Sequence, residues 1–106
     1  MRIVSLLKHS ITVVVGEEKK VFVPSGQEAR CSVATEKATE IDGIPVNRSV
    51  FGQVLGLPEP VEGTIYIVST LVAQQARRPD VVSPDTGPTA IREGGQVVAV
   101  RGFQTF

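Results

Sequence analysis

The sequence predicts an α+β fold: a mainly antiparallel β sheet or partly open barrel with one short helix at about residues 69–78. Three observations predict it. Short β-branched runs separated by glycine, proline and Asp-Gly punctuation fill the first half and the end of the chain, which is the period-2 pattern of strands facing a core on one side. Thr64-Ile65-Tyr66-Ile67-Val68 is the most strand-like pentamer, and it leads directly into the one stretch with helical spacing. With 106 residues and 42% hydrophobic content, the chain matches one domain, 1–106, with a modest core that needs no staple.

Ile3 to Leu7 and Ile11 to Val15 are expected strands. Gly16 to Lys20 is a polar turn into Val21-Phe22-Val23, completing a hairpin that Pro24-Ser25-Gly26 breaks, since proline cannot donate to a ladder. Ala29, Cys31 and Val33 share one parity, which suits a fourth strand with Cys31 facing inward. Thr35 to Asp42 is polar without a decisive period and is expected to be a loop or strand extension, ending at the turn signal Asp42-Gly43. Ile44 to Phe51 follows as a strand, with Pro45 favouring an edge, and Pro58-Glu59-Pro60 fixes an extended connector. Ser69 is a natural N-cap for a helix whose face is Leu71, Val72, Gln75 and Ala76; Arg77 and Arg78 suit the negative end of its dipole and Pro79 stops it. The chain closes with a hairpin: Ala90-Ile91-Arg92, the turn Glu93-Gly94-Gly95-Gln96, and Val97 to Phe103.

Composition excludes several function classes. Eleven Lys plus Arg balance eleven Asp plus Glu, so no general field draws the chain onto nucleic acid or an acidic membrane. No run approaches the ~18 apolar residues of a membrane span. Cys31 stands alone and cannot form an intramolecular disulfide, and no secretory leader precedes it, so a reducing, cytoplasmic location is expected, the host cytoplasm if the chain is phage-encoded. His9 is the only histidine and no nucleophile-elbow spacing accompanies it, so no catalytic residues, metal or cofactor are expected.

The segment from Ser83 to Thr89 is the best candidate site. Pro84 and Pro88 stiffen it while Ser83, Asp85, Thr86 and Thr89 offer donors and acceptors around Gly87. As a ligand site it would grip an anion with these groups, Arg77, Arg78 and Arg92 supplying charge. As a connector it would bond only its own backbone through Asx-type turns.

Three stretches carry a likeness: Ile3-Val4-Ser5-Leu6-Leu7-Lys8-His9-Ser10-Ile11-Thr12-Val13, Gly56-Leu57-Pro58-Glu59-Pro60 to Val72-Ala73, and Ser83-Pro84-Asp85-Thr86-Gly87-Pro88-Thr89-Ala90-Ile91-Arg92. With them the chain resembles a family of small uncharacterised proteins of tailed phages, prophages and bacteria. That family opens with Asn-Leu-Thr-Pro-His, where this chain has Ser5-Leu6-Leu7-Lys8-His9. The resemblance implies a phage or mobile-element origin and no catalytic residues.

Two functions follow as expectations. The first is a non-enzymatic binding protein, a homo-oligomer, that sequesters a small anionic ligand such as a nucleotide signal used in antiviral defence. The second is a protein-interaction module that inhibits a host protein or joins a phage assembly through a strand edge or the Ile44 to Leu57 segment. A hydrolase, resting on His9 or Asp85, ranks last.

Overall fold

A computed structural model describes all 106 residues. Strands hold 53% of them and one short helix 7%, so the α+β class stands. Strands β1 (Arg2–Ser5), β6 (Thr64–Ile67), β7 (Val81–Pro84) and β10 (Phe103–Gln104) form the central sheet in that order. Three two-stranded ribbons attach to it: β2 (Ile11–Val15) with β3 (Glu18–Phe22), β4 (Arg30–Ile41) with β5 (Ile44–Leu55), and β8 (Ile91–Glu93) with β9 (Gln96–Ala99). Every ribbon is antiparallel, as is β7 with β10, whereas β1–β6 and β6–β7 run parallel. The parallel pairs depart from the sequence expectation for a physical reason. A strand that enters a crossover helix can return beside itself only in the same direction, and α1 (Thr70–Ala76) is that crossover between β6 and β7.

The helix begins where its cap predicts, the Ser69 hydroxyl accepting the Val72 N–H at 3.3 Å. It ends at Ala76, two residues before the expected 78. Arg77 occupies the left-handed C-cap conformation (φ 50°), its N–H donating to the Ala73 carbonyl, so Arg77 and Arg78 lie beyond the last turn.

Period-2 alternation sorts the central strands onto two cores. Tyr66, Val68 and Val81 face Leu6, Ala29, Val72 and Ala73 beneath the helix, with Cys31, Val54 and Leu57 at the margin. Ile67 points the other way, into Ile11, Val13 and Val100 beneath the outer ribbons, with Phe22, Val82 and Phe103 beside it. The sheet therefore has apolar layers on both faces. Val13 and Val100 form an isolated parallel bridge that ties β2 to the segment after β9.

The β4–β5 ribbon is the part the sequence underestimated. Thr35 to Ile41, expected as a loop or extension, is fully strand and pairs with β5 to the tip, where Asp42 (φ 52°) and Gly43 (φ 79°) make the two-residue turn with both centres left-handed. Twelve residues a side at ~3.3 Å each give an arm of about 40 Å. Only its base is anchored, where Cys31 and Val54 meet the helix-side core. The whole molecule measures 53 × 37 × 22 Å.

Candidate functional site

The closing segment folds on itself. Asp85 donates its N–H to the Gly102 carbonyl, its Oδ1 accepts the Gly87 N–H at 3.0 Å, and the Ala90 N–H donates to the Gly87 carbonyl. A Cβ on Gly87 would lie 3.1 Å from Asp85 Oδ1, so this Asx turn leaves little room for a side chain there. Arg92 spans the loop from the hairpin, donating to the Gly87 and Thr86 carbonyls at 3.2 and 2.7 Å. Thr86 and Thr89 are exposed, whereas Ser83 is fully buried in β7 and its hydroxyl has no partner.

Arg77 and Arg78 are not part of this cluster. They precede β7 whereas the loop follows it, so four strand residues, about 13 Å, separate the two groups at opposite ends of the strand. Arg77 Nε donates to the Gln74 carbonyl. Arg78 grips both oxygens of Asp80, at 2.9 and 2.6 Å, and donates to the Pro58 carbonyl at 2.9 Å, locking the helix exit to the proline connector. This hydrogen bonding holds the Asp80 carboxyl below its ordinary range and raises the Arg78 guanidinium, against the burial that opposes both shifts. Arg78 and Arg92 thus have intrachain partners, and an anion would have to displace them. Sequence reasoning missed Asp80, though Arg-Pro-Asp stands in plain view; the cue was a carboxylate two residues past an arginine that the helix no longer contains.

Two shallow grooves flank His9. One, of about 220 Å³, lies between the Ser10 to Thr12 backbone, Thr86 and the Val97 to Val100 segment. The other, of about 290 Å³, is lined by Lys8, Glu28, Arg30, Cys31, Ser69 and Leu71 among others, and Lys8 and Glu28 pair across it at 3.8 Å. No group of three or more His, Cys, Asp or Glu side chains is placed to hold a metal ion, and no helix is long and apolar enough to cross a membrane.

The larger unassigned feature is the arm. Paired strand residues share a face, so the register assigns each side chain to one of two surfaces. The surface continuous with Cys31 and Val54 carries Val33 and Phe51 near the base and then turns polar, through Thr35, Ser49, Lys37 and Asn47. The opposite surface carries aliphatic residues from base to tip, Leu55, Ala34 with Val50, Val46, and Ile41 with Ile44, interrupted by Arg30, by Glu36 with Arg48, and by Thr39. Ile41 and Ile44 are 61% and 65% exposed and Leu55 55%, values expected of lysines rather than of the largest aliphatic residues. The charged residues of this surface's middle, Glu36 and Arg48, pair with each other at 3.3 Å. No family model matches the chain, and none of the curated proteins or solved structures does.

Proposed function

We propose that this chain is a protein-interaction module that docks through the β4–β5 arm, in the manner of a component that joins a larger assembly or blocks a host protein. The observation that carries the reading is a ribbon of about 40 Å whose one surface exposes Leu55, Val50, Ile41 and Ile44 from base to tip. An isolated two-stranded ribbon is marginal in water, so an arm of this length gains its order from something packed upon it. Neither the resemblance to phage and prophage proteins nor the neutral charge of the chain opposes this role.

Photo-crosslinking tests it. A photoreactive phenylalanine analogue at Ile44, on the arm, and another at Thr89, on the closing loop, are expressed in the cells that make the protein. The expected result is a defined protein adduct from position 44 and none from 89. Absence of any adduct along the arm, at Ile44 and again at Val50, would remove the reading.

A further inference from the structure

Resting on that reading, we propose that the occupant of the arm's aliphatic surface is a second copy of the same chain, the two ribbons facing each other about a two-fold axis that runs along the arms. Three independent observations support this partner.

The first is area. The chain exposes 7241 Å², whereas a compact monomer of 11.3 kDa exposes about 5,700 Å² by the usual mass scaling. The excess of roughly 1,500 Å², spread over both faces of the protruding ribbons, exceeds the ~800 Å² that each partner contributes to a standard interface. The radius of gyration agrees: 16.4 Å against about 13 Å for a compact chain of this length.

The second is charge. Residues 30 to 55 carry Arg30, Lys37 and Arg48 against Glu36, Glu40 and Asp42. The ribbon is neutral and does not repel its own copy, whereas a strongly charged partner would find nothing to match.

The third is self-complementarity. Glu36 and Arg48 are cross-strand partners near the middle of the ribbon. A two-fold axis running along the arms exchanges the two strands of facing ribbons, so Glu36 of one copy lies over Arg48 of the other. By the same operation Val50 faces Ala34, a large side chain over a small one, Val46 faces Thr39, and the tip residues Ile41 and Ile44 face one another. One face thus offers itself both the opposite charge and the complementary size, as an isologous contact demands. The other face places Lys37 over Asn47 at the same level, where no opposite charge meets it.

Native mass spectrometry and sedimentation of the purified full-length protein read the outcome directly. The wild type is expected at twice its 11.3 kDa chain mass. Val46→Asp, on the aliphatic surface, is expected to weaken the dimer by at least about 100-fold while the far-UV circular dichroism and cooperative melting persist; Ser49→Asp, on the opposite surface, leaves it intact. Glu36→Arg and Arg48→Glu each place like charges face to face and give monomers alone, but mixed together they form a heterodimer. A wild type that stays monomeric at about 100 μM overturns the proposal, and so does a dimer indifferent to Val46→Asp or broken by Ser49→Asp. The arm's docking role is judged separately: an adduct from position 44 to a different protein, with a monomeric wild type, retains that role and rejects the second copy.

Discussion

Replacing Arg78 with alanine separates a structural arginine from a ligand-binding one. The side chain makes three hydrogen bonds, two of them to the Asp80 carboxylate, and the substitution leaves that carboxylate partly buried without its partner. A hydrogen bond to a charged group contributes ~1.5–3 kcal/mol, and breaking a fully buried ion pair costs ~3–5 kcal/mol. Since the Arg78 and Asp80 side chains retain 24% and 16% exposure, the expected loss lies below that upper range, at about 2–3 kcal/mol. For a domain near 100 residues this lowers the melting temperature by about 10–20 °C. The effect depends on pH in a defined direction. Asp80 has a depressed native pKa, so its stabilisation is complete above the ordinary carboxylate value of ~3.9 and is lost as the pH falls through the lower native value. Thermal denaturation of both proteins at pH 7 and at pH 3 is the assay: the gap is full at pH 7 and narrows at pH 3. A variant that melts like the wild type at pH 7 but no longer gains stability from a nucleotide would refute the structural assignment and return Arg78 to a ligand.

Other substitutions test neighbouring claims. Arg92→Ala removes the clamp on Thr86 and Gly87, so the Ala90 amide should exchange about tenfold faster in hydrogen-exchange measurements while global stability changes by under ~1 kcal/mol, the clamp being exposed. Ser83→Ala deletes a buried hydroxyl without a partner and should be neutral or stabilising by up to ~1 kcal/mol in urea titration; a loss above that means the hydroxyl has a partner in solution. Gly56→Ala imposes a Cβ 2.3 Å from the Glu28 carbonyl oxygen at φ +81° and should cost at least ~3 kcal/mol, whereas Gly16→Ala, in open space at φ +61°, should cost only ~1–2 kcal/mol.

The sequence made the strand-to-helix step legible because the forces there are local. Thr64 to Val68 alternates between two buried layers, and Ser69 caps the helix with its own side chain. What stayed hidden depends on distant partners. Nothing near Arg2 says that it will align with Thr64 in a parallel pair. Asp80 faces Arg78 only because Arg77 turns the backbone left-handed and ends the helix early. Likewise, the candidate residues Arg77 and Thr86 are a few positions apart in the chain, yet an intervening strand holds them at opposite ends. Proximity in sequence overstated proximity in space.

The arm fails to announce itself for a related reason that also bears on what it does. Alternation is written into a strand only where one face is buried and the other is wet, because burial is what selects it. Thr35 to Ile41 shows no clear period, and a strand lacking one is ordinarily a sign that neither face is buried in its own fold. Yet its partner strand sets aliphatic residues at Ile44, Val46 and Val50 on one face, interrupted between them by Arg48. Their presence along a neutral ribbon is consistent with a covering layer supplied from outside the chain. A covering layer that is itself neutral, ribbon-shaped and aliphatic along one face is a close description of the arm.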